Sequence, residues 1–470
     1  MTRPGDGPAG RAAALAAPAP DGSPAGGLRL DTSARTIWAI ALPIIFAEIN
    51  ETIVEVTDAA FLARFGTVEL GAVGLAAAIY EVVVFFSFGL ADSVQIVAAR
   101  RAGQERARGV GDAFFHGAVL VLLTSAALFL ILKFGTPFVT AWVVQSDAVR
   151  AAVNDFIAVA AFSVFFHCLN MAYSALFVGI GKPRVLIGAT AILAVTNLLL
   201  DYALIFGHFG LPRLGIRGAA LGSLAAELAA FAFLTTHALR NPEVRRLKLF
   251  TPRPLDWSLA RVMLRISWPA SLERLVETGR WFLFFLIVER MGENPLAVTN
   301  IVHGLYGIFL LPIDAVSEAV CTLTSNLIGQ ERSGRIGDVV RRAGKSAALV
   351  ALPLVGLALL LPGVPIALFN PDPALAGSAA ATLRVAAVAV LVIVPAEMVF
   401  SAVAGSGDTR ATLLIEIVLS VCVLLVAYAA GVALGLPLEA VWAAEIVGAG
   451  VCLLLSAAWL RSERWKRLTV

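Results

Sequence analysis

Runs of about twenty apolar residues recur along the whole chain, each long enough for a helix to cross a hydrocarbon layer about 30 Å thick. In a bilayer every backbone polar group must be satisfied internally, so such runs fold as helices or as strands of closed barrels, and runs this long and uninterrupted are helical. Of the 470 residues, 59 % are hydrophobic and 15 % charged, and the mean hydropathy is +0.86. A water-soluble domain of that make-up would have too little polar surface to cover itself. The fold expected is an all-α membrane protein of twelve spans, at 36–62, 69–99, 112–134, 152–178, 185–207, 216–239, 264–289, 295–327, 344–362, 379–404, 411–432 and 438–460.

The net charge of +3 is no sign of a nucleic-acid partner, because the basic residues sit in loops between spans, where membrane topology explains them. Most of the 36 Lys and Arg fall in the tails and the even-numbered loops, for example Arg100, Arg101, Arg106 and Arg108, or Arg332, Arg335, Arg341, Arg342 and Lys345. By the positive-inside rule those loops and both termini are cytoplasmic. Residues 1–35, rich in Ala, Pro and Gly, are expected to be a disordered cytoplasmic tail. A six-span lobe at 36–240, a basic linker at 241–263, a second six-span lobe at 264–460 and a short tail at 461–470 complete the domain plan. Cys168, Cys321, Cys422 and Cys452 lie in apolar stretches without metal-ligand spacing, so they suggest neither a disulfide framework nor a zinc site.

The two lobes are copies. A shift of 226 residues lays Pro43 on Pro269, Glu51 on Glu277, Arg64 on Arg290 and Gly66 on Gly292, and matches GQERARGVGD (103–112) to GQERSGRIGD (329–338) and GIGKPR (179–184) to GSGDTR (405–410). An even number of spans per copy gives both the same orientation, so a pseudo-twofold axis along the membrane normal should relate them. In such transporters the substrate sits between the lobes.

With these features the chain resembles the multidrug and toxic compound extrusion (MATE) family over about residues 36–460. The resemblance rests on Pro43 and VTDAAFLARFG (56–66), AARRAGQE (98–105), NLLLDYALIFG (197–207) and GIRGAALGS (215–223), in this order on twelve duplicated spans. It implies a V-shaped pair of lobes that exchange H+ or Na+ for small organic compounds, without a cofactor other than the coupling ion. Asp58 matches the family's first-span Asp and Asn197 with Asp201 its fifth-span pair. Ser223 stands where many members carry a sixth-span Thr, Glu277 matches a seventh-span acid, and Glu397 lies near a tenth-span acid. The first span departs from the family in holding Glu48, Glu51 and Glu55 besides Asp58.

The residues themselves carry a consistent reading. An ionised carboxylate at the bilayer centre costs at least about 2.5 kcal/mol, so it persists where it faces a cavity or a partner. Asn197 and Asp201 lie one helical turn apart, and with Asp58 and the Ser223 hydroxyl they present oxygens suited to a proton or to Na+; helix-to-helix hydrogen bonding is the plainer alternative. The 226-residue shift sends the four positions to Phe284, Val423, Ala427 and Ala449, with Gly448 in the last place if the register slips by one. None binds a cation, so the ion site is expected in the first lobe alone.

Glu48, Glu51, Glu55 and Asp58 are spaced by 3, 4 and 3, within an arc of roughly 80° on a helix. That acidic stripe suits attraction of organic cations into a wet cleft; the competing reading pairs Glu48 or Glu51 with Arg274 or Arg280 as an inter-lobe lock. Tyr80, Phe85, Phe86, Trp268, Trp281 and Phe284 are candidates for an apolar wall, against ordinary packing. His167 and His303, isolated within their spans, read as hydrogen-bonded packing histidines ahead of proton relays, and Trp442, Trp459 and Trp465 as interfacial anchors. No HExxH, GxSxG or phosphate-binding Gly loop is present, so the chain is not expected to be an enzyme. The competing transport reading is a lipid-linked oligosaccharide flippase, whose anionic cargo would call for an Arg-rich cleft. A secondary antiporter of amphipathic organic cations, acting as a monomer in a bacterial inner membrane, is the function expected.

Overall fold

The computed structural model describes residues 27–369 and 373–467, and every regular element among them is helical. The expected tails at 1–26 and 468–470 lie outside the described residues.

Ten helices are apolar and long enough to cross a membrane, and an eleventh span is a bent pair, Asp147–Ala160 and Ser163–Gly179, that turns by 53° at its break. The twelfth is Trp257–Glu289, 33 residues long, whose Glu273, Arg274, Glu277 and Arg280 make it too charged to stand out by hydropathy. Twelve spans in two lobes result, as the sequence predicts, with three differences in detail. The second span breaks at Phe85 into Thr67–Val84 and Phe86–Gly103. The third extends from Ala107 through a π-helical turn at Ile131–Gly135 to Val143. The fourth is the bent pair.

Polar caps fix several helix ends. Ser33 accepts a hydrogen bond from the Thr36 amide at the start of the first span, and Asp256 accepts one from the Ser258 amide at the start of the seventh. The same bond, with one from the Ser258 hydroxyl, holds the Asp256 carboxyl below the usual carboxylate range.

The lobes meet along the inner halves of the second and eighth spans, and here the pseudo-symmetry becomes physical. A Cβ at Gly103 would lie 2.0 Å from the Asn326 carbonyl oxygen, and one at Gly329 would lie 2.2 Å from the Arg100 carbonyl oxygen. The two contacts interchange under the 226-residue shift. Only glycine lets the helices cross this closely. Around the crossing, Asn326 Nδ2 donates to the Ala99 carbonyl at 3.2 Å, Ser325 Oγ to the Ile96 carbonyl at 2.7 Å, and Arg100 to the Ser406 carbonyl at 2.9 Å. The inner half of the second span is mostly buried, and wholly so from Ser93 to Arg100, whereas its outer half, like that of the first span, is largely exposed. The lobes are therefore closed at the end carrying the GQER loops and splayed at the other.

The expected tail is ordered closer to the first span than the sequence implies. Leu30 donates its amide to Asn326 Oδ1 at 3.0 Å, Asn326 Nδ2 donates to the Leu28 carbonyl, and Arg342 donates to the Thr32 carbonyl at 2.7 Å. Partners supplied by the opposite lobe order a segment that has no apolar periodicity of its own. In the linker, Arg253 pairs with Asp112 and the Asp256 amide donates to His116 Nε2 at 2.8 Å, so the linker docks on the third span.

Candidate functional site

Asp58, Asn197, Asp201 and Ser223 converge from the first, fifth and sixth spans. Asn197 Nδ2 donates to Ser223 Oγ at 3.4 Å, and the Asp58 carboxyl lies beside Asn197 and Asp201. Asn197 and Asp201 are almost fully buried, at 1 % and 0 % exposure. The approach of the sixth span depends on Gly222, where a Cβ would stand 1.9 Å from Asp201 Oδ1. Leu62, Ile205 and Ala219 seal the cluster on its outer side.

The oxygen inventory is the telling feature. Asp58 Oδ1, Asn197 Oδ1 and both oxygens of Asp201 are buried without a hydrogen-bond donor. Buried polar atoms are nearly always paired, and two carboxyls facing each other satisfy one another only when one carries a proton, or when a cation lies between them. Four acceptor oxygens left unpartnered, beside the single Asn197-to-Ser223 bond, make an arrangement that can load a small positive ion and release it.

The second lobe is apolar at the same places. Phe284, Val423 and Ala427 are fully buried and Ala449 nearly so, and a Cβ at Gly448 would meet Val423 rather than a polar atom. This lobe nevertheless holds its own buried charges at other positions, which the sequence reading did not assemble. Arg280 Nη1 donates to Glu445 Oε1 at 2.8 Å, and its Nε lies 3.7 Å from Glu416 Oε1. Ser420 donates to Glu416 at 2.9 Å. The guanidinium also stacks over Trp281, 5.0 Å from the ring centroid. Here Glu416 and Glu445 have a resident counter-charge in Arg280.

The remaining expected cleft residues divide between the lobes. Glu55 lies in the field of Glu81, on the neighbouring second span. Glu48 lies in the field of Glu51, Glu318 and Arg274. Glu51 looks toward His167 and Glu227. Tyr80 shares a hydrogen bond with Ser163 at 3.1 Å and meets the His167 ring edge-on. In the second lobe Glu277 and Glu397 are brought together with Asp314 and Glu416, and Trp281 packs on His303 with ring centroids 4.4 Å apart.

Three expectations need correction. The proposed lock does not form: among the described residues neither Glu48 nor Glu51 pairs with Arg274 or Arg280, since Arg280 is already held by Glu445 and Glu416. The lobes are instead bridged by Gln95, which donates to Glu318 Oε2 at 2.8 Å. His167 is hydrogen-bonded, as the packing reading expects, with its Nδ1 donating to Glu227 Oε1 at 2.8 Å. Phe284 is fully buried, so it belongs to the packing and not to a cleft wall. Trp442 is no interfacial anchor: it is fully buried against Trp281, Phe284 and Tyr306.

Glu227 and Glu273 escaped the sequence reading altogether. Each is an acid inside a span, and that alone is a signal of function or of a specific partner. Asn170 completes the Glu227 group by donating to Glu227 Oε2 at 2.7 Å.

Comparison with known proteins agrees with this geometry. The MatE family model matches residues 43–203 and again 269–429, two stretches of equal length whose starts differ by the same 226 residues as the internal repeat. A probable multidrug resistance protein NorM of Aromatoleum aromaticum is 27 % identical over 351 residues, covering 73 % of this chain and 74 % of the relative. Another of the same description, from Deinococcus radiodurans, is 28 % identical over 395 residues, covering 82 % and 85 %. Among solved structures, a MATE crystal structure in a bent conformation superposes with a TM-score of 0.84 at 20 % identity, covering 93 % of this chain and 97 % of that one. An outward-facing multidrug resistance MATE transporter of the MOP superfamily gives 0.84 at 20 % identity, covering 95 % and 99 %.

Proposed function

The chain belongs to the MatE family, and from that premise we propose that it is a multidrug exporter that exchanges amphipathic organic cations for H+ or Na+ by alternating access. The multidrug resistance relatives support export of small molecules. The observation that carries the coupling is the set of donor-less buried oxygens on Asp58, Asn197 and Asp201, opposite apolar residues at the equivalent places of the second lobe. With the GQER loops cytoplasmic, the splayed end opens outward, and Glu48, Glu51 and Glu55 line the approach for a cationic cargo released there. An ion arriving at the open end reaches the first-lobe cluster, where it replaces the missing donors. Its release on the other side requires the Gly103 and Gly329 crossing to part.

This reading separates from the flippase alternative by the sign of the cleft: the first span presents four acids and no Arg between Glu48 and Asp58. The test is efflux of a fluorescent organic cation from energised cells making the protein, compared with Asp58→Asn and Asp201→Asn, with the proton and sodium gradients collapsed separately. Loss of export in both variants, and on collapse of one gradient, is expected. Wild-type export by both variants would remove the ion site.

A further inference from the structure

A groove of about 410 Å³ runs between the ninth and tenth spans, outside both the cleft and the carboxylate cluster. Its walls include Ala348, Ala351, Val394, Pro395 and Met398, and at its mouth, on the end that carries the GQER loops, stand Arg341 and Lys345. The surrounding surface is that of a bilayer-facing helix pair, with Leu349, Leu352 and Leu391 exposed. Arg341 is tied to Asp338 at 3.0 Å, whereas Lys345 is exposed and makes no ion pair among the described residues. Gly344 keeps the floor open: a Cβ there would have only Met398 Cγ in reach, at 4.0 Å. Pro395 lies inside the tenth-span helix, where its missing amide lets the helix bend away from its neighbour.

The internal repeat supplies a control. Shifted back by 226 residues, Arg341 and Lys345 become Phe115 and Val119, and Leu391, Pro395 and Val399 become Phe165, Leu169 and Tyr173. There the space is filled, with Tyr173 on Phe114 at 4.9 Å between centroids and Phe165 on Phe129 at 5.6 Å. The second lobe thus combines an open groove with two cations at its mouth, where the first lobe has packed side chains and no charge. Basic pockets between spans at the membrane surface fit anionic lipid head groups.

We propose that this groove holds one acyl chain of an anionic phospholipid whose phosphate is bound by Lys345 and Arg341. The chain occupies the apolar trough beside Pro395, and the head group stays at the membrane surface. The test is native mass spectrometry of the detergent-purified protein with an equimolar mixture of dioleoylphosphatidylglycerol and dioleoylphosphatidylcholine. Wild-type protein is expected to retain the anionic lipid over the zwitterionic one by roughly tenfold. Replacing both cations, Arg341→Gln with Lys345→Gln, should bring the ratio to near one. Gly344→Phe fills the trough with both cations intact and should remove the bound lipid. Lys345→Arg, which keeps the charge, should keep the preference and so separates lost recognition from a failure to fold. Equal retention of the two lipids by wild type, or undiminished retention of phosphatidylglycerol by Gly344→Phe, overturns the proposal.

Discussion

The two lobes descend from one plan, yet the Asp58 cluster of the first and the Arg280 cluster of the second handle buried charge in opposite ways. In the first, Asp58, Asn197 and Asp201 gather acceptors and leave them without donors. In the second, Glu416 and Glu445 close on Arg280, and the positions equivalent to the first-lobe cluster are apolar. A group of acids with a permanent counter-charge is a structural element, because its charge is settled when the protein folds. A group without one must take its positive charge from outside, and that is the property a coupling site needs.

The sharpest way to break this comparison is to exchange the characters of the two sites. Asp201→Asn should reduce export to background with the protein still correctly assembled, while Ala427→Ser at the equivalent second-lobe position should leave export near wild type; efflux assays on matched expression levels check both. Next in size is Arg280→Met. Removing one partner of a buried ion group leaves the other charges uncompensated and costs about 3–5 kcal/mol, read as a lower unfolding midpoint of the purified protein. Adding Glu416→Gln and Glu445→Gln to that variant should restore most of the stability, since replacing such a group entirely is often close to neutral.

The symmetric part of the molecule should respond symmetrically. Gly103→Ala and Gly329→Ala each put a methyl against a carbonyl oxygen of the opposite helix, and each should destabilise the closed crossing by about 1–3 kcal/mol. Distances between spin labels at this end should lengthen in both variants to a similar degree, and a strong difference between them would show that the crossing is not a shared element. Smallest is Glu227→Gln, which weakens the bond to His167 but keeps an acceptor for Asn170. A loss of about 1 kcal/mol of stability is expected, with export slowed and still coupled to its gradient.

Much of this organisation was legible in the sequence because it rests on length and repetition. Twelve spans follow from apolar runs and the axis from the constant offset, whereas the crossing of Gly103 and Gly329, although both belong to the matched GQER loops, emerged only from the structure. The convergence of Asp58, Asn197, Asp201 and Ser223 was accessible because the spacing of Asn197 and Asp201 fixes one face and the resemblance supplies the neighbours. What stayed hidden are pairings between helices distant in sequence. Nothing near Arg280 announces Glu416 or Glu445, and His167 finds Glu227 60 residues away. Breaks at Phe85 and near Ala161 carry neither Pro nor Gly, so no local signal marks them. Trp442 misled because a Trp close to a span end is the usual mark of an interface, whereas here it fills the second lobe's aromatic core.

The central claim is that the coupling ion binds in the first lobe alone, and ion release on substrate addition tests it most directly. Purified protein is loaded with radiolabelled sodium, or followed with a pH-indicator dye, and then given an organic cation. Wild type and Glu416→Gln should both release the ion, and Asp201→Asn should release none. Undiminished release from Asp201→Asn, or its loss in Glu416→Gln alone, would contradict the account.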